Sequence, residues 1–352
     1  MSKYWSEFLN QLSPYVAGEQ PQDRSYVKLN TNESPYPPSD AVLDAIRGRV
    51  SDRLRLYPDP EATTLRQGIA DFYALKTENV FVGNGSDEVL GFAFQAFYKD
   101  KQAVAFPDIT YSFYPVYCRL FDIDFQTFAL TDTFEIDINT IPENPGGIII
   151  ANPNAPTGCY LDIKQIEALL QKHSNTVVLI DEAYIDFGGI SCVPLIKTYP
   201  NLVVVQTLSK SRSLAGLRVG LALGDKQLID GISRVKNSFN AYPLDTLAIA
   251  GATASFRDKV SFDRNREQII AAREWTIKTL EPMGFHIVPS KANFIMIQHR
   301  TKLAKALYLE LKEMGVLVRY FDAPRIDNYL RVSIGTLSEM QTLIKCLKKI
   351  LG

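Results

Sequence analysis

Metal-ligating side chains are scarce in this chain of 352 residues. Histidine occurs only at His173, His286 and His299, and cysteine only at Cys118, Cys159, Cys192 and Cys346. Neither set has ligand spacing and no two cysteines form a CxxC pair, so neither a metal site nor a disulfide framework is expected. Long apolar runs are missing as well. Nothing approaches the roughly 20 residues that a bilayer-spanning helix needs, and the longest runs, such as 148–151 and 177–180, have strand length. The opening segment 1–7 lacks the apolar core of a signal peptide. A cytoplasmic protein without membrane contact is therefore expected. Lys plus Arg number 38 against 39 Asp plus Glu, a net charge of −1, which is too even a balance for a broad nucleic-acid footprint. Internal repeats and low-complexity tracts are also absent.

Hydrophobic residues at 46% and charged residues at 22% exclude a disordered, collagen-like or coiled-coil chain. The length suggests about two domains. The first residues are polar and rich in turn formers, and a proline cluster at Pro35, Pro37 and Pro38 precedes a helical pattern over 39–49. From about residue 80 short β-branched runs alternate with amphipathic stretches. Strands are predicted at 80–82, 103–106, 148–151, 177–180, 203–207 and 219–223, and helices at 87–98, 163–172 and 225–236. Apolar strands interleaved with helices indicate an α/β fold with a mostly parallel, mixed sheet covered on both faces. The stretch 245–280 is mostly helical. Beyond it, strands at 292–298, 316–319 and 329–332 alternate with helices at 302–314 and 338–350. The expected organisation is an N-terminal arm (1–28), a large domain (29–245) and a smaller α+β domain (246–352).

In open α/β sheets ligands bind beyond the carboxyl ends of the strands, so the segment after each predicted strand carries the chemistry. After 80–82 comes Gly83-Asn84-Gly85-Ser86-Asp87 at a helix start. Its glycines admit close backbone approach, and Ser86 with the helix amides suits an anion. A dinucleotide fingerprint is not matched, because its third glycine position holds Glu88. After 177–180 comes Asp181-Glu182-Ala183-Tyr184. A strand-end carboxylate can hold a metal, act as a base or pair with a ring nitrogen; it can equally be a plain helix cap. After 203–207 comes Leu208-Ser209-Lys210, then Arg218. A lysine at the tip of a buried strand is a candidate for the amine that Schiff-base chemistry needs. One ligand unites these features. Pyridoxal phosphate offers an aldehyde for a lysine, a ring nitrogen for a carboxylate, a phenolic oxygen for a tyrosine and a phosphate for Ser, Arg and amide donors.

With these residues in place the chain resembles the fold-type I pyridoxal-phosphate-dependent aminotransferases, and within them the branch acting on histidinol phosphate. The likeness rests on Leu29-Asn30-Thr31-Asn32-Glu33-Ser34-Pro35, Leu56-Tyr57-Pro58, Gly83 through Glu88, Asn152-Pro153-Asn154-Ala155-Pro156-Thr157-Gly158, Asp181 through Tyr184, Ser209-Lys210, Gly216-Leu217-Arg218-Val219-Gly220 and Leu330-Arg331-Val332-Ser333-Ile334-Gly335-Thr336. It implies a large domain with a mostly parallel mixed sheet between helices and a smaller α+β C-terminal domain. It further implies that Lys210 carries the pyridoxal 5'-phosphate and shuttles a proton. Asp181 would keep the ring nitrogen protonated, and Tyr184 would bond the phenolic oxygen. Gly85, Ser86, Ser209 and Arg218 would bind the phosphate, Asp87 and Thr207 would also belong to the cofactor site, and Tyr111 would stack on the ring. Tyr57 would reach the cofactor of a neighbouring subunit, which implies a homodimer with shared active sites.

One position departs from the family pattern. The asparagine usual before Pro-Thr-Gly is Ala155 here, so either Asn154 or Asn152 replaces it or Tyr184 acts alone. On the substrate side the resemblance implies Tyr15, Asn32, Arg319 and Arg331, the two arginines gripping a phosphate or a carboxylate by their planar forks. The implied reaction converts histidinol phosphate and 2-oxoglutarate to imidazole-acetol phosphate and glutamate, in histidine biosynthesis. Rival activities on the same scaffold are aromatic amino-acid transamination and phosphothreonine decarboxylation. Outside the family stand a non-catalytic regulator domain, for which the first thirty residues are too short and too weakly basic an appendage, and a nicotinamide oxidoreductase, which the missing glycine fingerprint disfavours.

Overall fold

A computed structural model describes residues 2–15 and 18–352. After a two-residue strand β1 (Val27–Lys28), seven strands make the main sheet: β2 (Val80–Asn84), β3 (Val104–Pro107), β4 (Phe125–Phe128), β5 (Gly147–Ala151), β6 (Val178–Asp181), β7 (Leu202–Thr207) and β8 (Val219–Gly224). Their spatial order is β2-β8-β7-β6-β5-β3-β4. The pairs from β4 through β7 are parallel, and β8 runs antiparallel to both β7 and β2. This is the mixed, mostly parallel sheet that the apolar runs predict. β5, β6 and β7 are buried along their whole length, as strands covered on both faces must be. β4 escapes sequence reading because it is an edge strand with only Phe128 of its four residues buried.

Helices cover both faces: α1 (Asp40–Arg47), α2 (Thr63–Tyr73), α3 (Gly85–Phe97), α4 (Tyr114–Phe121), α5 (Ile163–Lys172), α6 (Lys226–Phe239) and α7 (Thr246–Arg257). Strand alternation divides the core between them. Ile148, Ile150, Ile180 and Val204 pack with Leu65 and Ile69 of α2, Ile166 and Leu169 of α5, and Ala248 and Ala252 of α7. Ile149, Leu179, Val203 and Val205 face the other way, onto Val89 and Phe94 of α3, Tyr114 and Tyr117 of α4, and Ile229 and Ile232 of α6.

The second body contains α8 (Lys259–Leu280), β9 (Phe285–Val288), β10 (Phe294–His299), α9 (Ala304–Glu313), β11 (Val316–Leu317), β12 (Arg319–Tyr320), β13 (Leu330–Ser333) and α10 (Leu337–Leu351). Four strands form an antiparallel sheet in the order β12-β13-β10-β9, while β1 pairs in parallel with β11 and ties the N-terminal segment to this body. α7, which the sequence groups with the smaller domain, packs instead on the core of the main sheet. Beyond α7 the chain crosses to the second core in α8, whose Ile269, Ala272 and Leu280 lie there with the earlier Leu29 and Phe187. Among the described residues no helix is long and apolar enough to cross a membrane.

Candidate active site

Parallel β5, β6 and β7 end along one edge of the main sheet, and β8, running the other way, begins there. Asp181 lies opposite Ala151 and Val205, Thr207 opposite Gly220, and Asn84 opposite Val219. This register gathers the segments after β2, β6 and β7 at one place, the position that open α/β sheets reserve for ligands. A cavity of about 270 Å³ opens at this edge. Asp181, Tyr184, Lys210, Thr207 and Ser209 line it together with Ser86, Asp87, Arg218 and Tyr111. The second body and the N-terminal segment contribute Arg319, Arg331, Tyr15 and Asn32 to the same walls. Lys210 and Asp181 thus share one cavity, as a single ligand bridging them requires. No group of three or more potential metal ligands occurs among the described residues.

One wall is a cradle for an anion. α3 starts at Gly85, whose φ is +79° and where an added Cβ would sit 2.6 Å from the Arg218 guanidinium. A Cβ on Gly220 would sit 2.3 Å from the Ser86 backbone nitrogen. Only glycines let these strands and the helix N-terminus come so close, with Ser86 at the cavity wall beside the start of α3. Arg218 pairs with Asp87 at 3.2 Å, and Asp87 accepts a 2.9 Å hydrogen bond from the Tyr111 hydroxyl. Asp87 therefore aims Arg218 and fixes Tyr111, while Thr207 donates to Ser209 Oγ at 2.9 Å. This donor set fits a phosphate group.

The Asp181 carboxyl is buried, which pushes its pKa up to about 6 even though the Tyr114 hydroxyl and the Ala183 amide oppose the rise by donating to it at 2.9 and 3.2 Å. A carboxylate held so far from water gains most from a cationic N–H partner. Tyr114 is a functional residue that sequence reasoning misses; its only signal is a further tyrosine three residues after Tyr111, in a chain with 17 of them. Lys210 Nζ donates to the Thr31 carbonyl at 3.2 Å and lies 5.8 Å from the Tyr184 ring centre. Its neighbours Ser211 and Arg212 do not line the cavity. Ser211 donates to Asp186, and Arg212 is enclosed by the rings of Phe72, Phe256 and Phe262 while donating to the Ser255 carbonyl. Both staple the lysine loop to the large core.

On the opposite strand pair, Arg319 faces Arg331 directly across β12 and β13. The two guanidiniums flank the Phe321 ring at 5.5 and 5.6 Å. Arg331 gives one hydrogen bond to the Asn30 carbonyl, but its Nε is buried with no partner. Burial pushes its pKa down, and the charge of Arg319 adds to the fall. Two adjacent cations with a free buried donor suit an incoming phosphate or carboxylate.

Several expected residues stand differently. Asn154 does not reach the cavity: its amide accepts from Thr110 and donates to the Ile109 carbonyl and Thr157. Asn152 is likewise spent, on both backbone groups of Leu161. Neither replaces the asparagine missing at Ala155, which itself lines the cavity. Asn32 is at the wall, yet its amide is bonded to Ser333 and Tyr184. Tyr57 lies outside the cavity altogether, 82% exposed and stacked on Tyr242 with ring centres 4.7 Å apart.

Known proteins resemble this chain in sequence and in fold. The chain matches the family described as aminotransferase class I and II over residues 24–347. It is 52% identical over 352 residues to a histidinol-phosphate aminotransferase of Clostridium botulinum, covering 100% of this chain and 99% of that one. It is 53% identical over 351 residues to histidinol-phosphate aminotransferase 1 of Hydrogenovibrio crunogenus, with the same coverage. The crystal structure of histidinol-phosphate aminotransferase from Sinorhizobium meliloti, in complex with pyridoxal-5'-phosphate, matches 100% of this chain and 98% of its own with a TM-score of 0.90. At 22% identity that likeness speaks for the fold.

Proposed function

The chain belongs to the class I and II aminotransferases, and from that premise we propose that it transfers the amino group of L-histidinol phosphate to 2-oxoglutarate. The products are imidazole-acetol phosphate and L-glutamate, a step of histidine biosynthesis, and the cofactor is pyridoxal 5'-phosphate. The observation that carries this reading is one cavity lined both by Lys210 and Asp181 and by the facing pair Arg319 and Arg331. Relatives named for this activity over the full chain support it.

When bound, pyridoxal phosphate supplies an aldehyde that condenses with amines and a ring that accepts the electron pair released at the substrate's α-carbon. Asp181 holds a proton on the ring nitrogen, where its buried charge is best compensated. Tyr184 donates its hydroxyl proton to the phenolic oxygen. Ser86, Ser209, Arg218 and the first amides of α3 bind the phosphate, and Tyr111, fixed through Asp87, covers the ring. Lys210 anchors the cofactor and then, as a free amine, carries the proton from the α-carbon. Arg331 and Arg319 hold the phosphate of one substrate and a carboxylate of the other, with Tyr15 closing the wall above Tyr111. Alternation of the two anions in one site accounts for a two-stage reaction with a shared donor set.

The working unit in this reading is a homodimer. Tyr57, remote from its own cavity, lies on a groove of about 930 Å³ between α1, α7 and the 56–59 segment, with Leu54, Leu56, Tyr57 and Tyr242 exposed nearby. An exposed apolar group of this kind suits a second copy of the chain, which would receive Tyr57 at its cofactor phosphate. The phosphorylated substrates do not cross membranes unaided, so the place of work is the cytoplasm that makes them. The test is to record the visible spectrum of the purified holoenzyme and add histidinol phosphate without a keto acid. Full conversion of the cofactor band to its aminated form is expected, with phenylalanine and phosphothreonine far slower by kcat/KM. An unchanged spectrum removes the substrate assignment.

A further inference from the structure

With Ala155 in place of an amide donor, the bond to the cofactor's phenolic oxygen assigned above to Tyr184 has no amide beside it, so the direction of the Tyr184 hydroxyl proton matters. A phenol can donate only once, and whether it points into the cavity depends on its other partner. That partner is Asn32, whose Nδ2 donates to the Tyr184 oxygen at 3.1 Å. An amide can be turned over to offer its oxygen instead, in which case Tyr184 would donate to Asn32 and lose the cavity.

Ser333 decides between the two. Asn32 holds a left-handed conformation with φ +57°, which brings its backbone N–H onto Ser333 Oγ at 2.8 Å. Ser333 therefore accepts from the backbone and has its own proton to give, which goes to Asn32 Oδ1 at 2.8 Å. Turning the amide over would leave the Ser333 proton without an acceptor at a site where Asn32 is 1% and Ser333 2% exposed, and an unmade buried hydrogen bond is costly. The Asn32 carbonyl, held by Asn293 Nδ2 at 3.0 Å, keeps the backbone in register. Among the described residues the Tyr184 hydroxyl proton meets no acceptor, and Ala155 packs in the same small apolar cluster as the Tyr184 ring.

We propose that Ser333 and Asn32 are positioning residues that lock the Tyr184 proton toward the cofactor's phenolic oxygen and so replace the donor lost at Ala155. The inference rests on the cofactor reading above. Ser333 stands two residues beyond Arg331 on β13, on the same side of the strand. One strand of the small sheet thus orients both the substrate's anion grip and the cofactor's phenolic bond.

The test is the pH at which the visible band of the holoenzyme shifts, since a donor on the phenolic oxygen favours the form lacking the imine proton and lowers that pH. Ser333→Ala frees the Asn32 amide to turn, and the midpoint is expected to rise by about 1–2 pH units, the worth of one charge-assisted hydrogen bond. Ser333→Thr, which keeps the hydroxyl, holds the wild-type midpoint. Ser333→Ala combined with Ala155→Asn, which restores an amide beside Tyr184, brings the midpoint back. Should the alanine variant not fold, Ser333→Cys, near in size and a far weaker donor, is expected to raise the midpoint in the same direction. An unchanged midpoint in Ser333→Ala or Ser333→Cys, or a rise that Ala155→Asn leaves in place, overturns the relay. A wild-type protein that takes up no pyridoxal phosphate overturns the cofactor reading itself, whereas one that titrates normally while Ser333→Ala does not move overturns the relay alone.

Discussion

Replacing Tyr114 by Phe removes one oxygen from a fully buried side chain and leaves its ring packing intact. That oxygen donates the shorter of the two hydrogen bonds on Asp181, 2.9 Å against 3.2 Å from the Ala183 amide. A hydrogen bond to a charged acceptor is worth about 1.5–3 kcal/mol, so the Asp181 titration should move up by about 1–2 pH units. Cofactor binding draws on the ionised carboxylate, and wild-type Asp181 titrates at about 6. The variant therefore loses affinity wherever its carboxyl is the more protonated of the two, and the loss is largest below the wild-type value, where both must give up a proton to bind. Linkage gives a ratio of variant to wild-type dissociation constants for pyridoxal phosphate of about 2–10 near pH 7, about 10–90 near pH 5 and about 1 near pH 9. Equilibrium dialysis of both proteins over this range measures the ratio, in which titrations common to both cancel. A ratio that is flat with pH, or that grows toward alkaline pH, refutes the reasoning, because then the lost group was not holding the Asp181 charge.

Gly85→Ala places a Cβ against Arg218 at a positive φ; it should cost about 1–2 kcal/mol in urea unfolding of the cofactor-free protein and weaken pyridoxal phosphate binding about tenfold. Arg319→Met should raise KM for histidinol phosphate by about 10–100-fold and that for glutamate less, since a phosphate dianion uses both guanidiniums more fully than a carboxylate does; steady-state kinetics with each donor checks this. Tyr57→Phe should weaken cofactor binding about tenfold although the residue lies outside its own cavity, and the difference should disappear at concentrations where sedimentation shows monomers.

The main sheet is legible in the sequence because its central strands are built on short runs of Val, Ile and Leu, and because Ser86, Asp181, Lys210 and Arg218 each lie at or near the end or the start of such a strand. The phosphate cradle can be read from glycines beside a helix start. Other parts depend on contacts between residues distant in sequence. Tyr114 reaches Asp181 across 67 positions, and Ser333 reaches Asn32 across 301; neither spacing leaves a local mark. Asn154 misleads for a related reason. Its place beside Ala155 suggests a substitute, whereas the backbone turns its amide to Thr110 and Ile109. A helical run that begins at α7 suggests the smaller body, but the small residues Ala248 and Ala252 fit the crowded face of the large sheet. Tyr57, exposed and outside its own cavity, has a part only in the proposed homodimer, which the family resemblance implies and no residue spacing does.

The claim on which the rest depends is that a single amine, Lys210, anchors pyridoxal phosphate in the cavity it shares with Asp181. Borohydride reduction of the holoenzyme, then peptide mass mapping, tests it directly. The account predicts one pyridoxyl group per chain, on the peptide containing Lys210, and none after Lys210→Ala in a protein that still folds. A label spread over surface lysines, or its persistence at full yield in the Lys210→Ala variant, would contradict it.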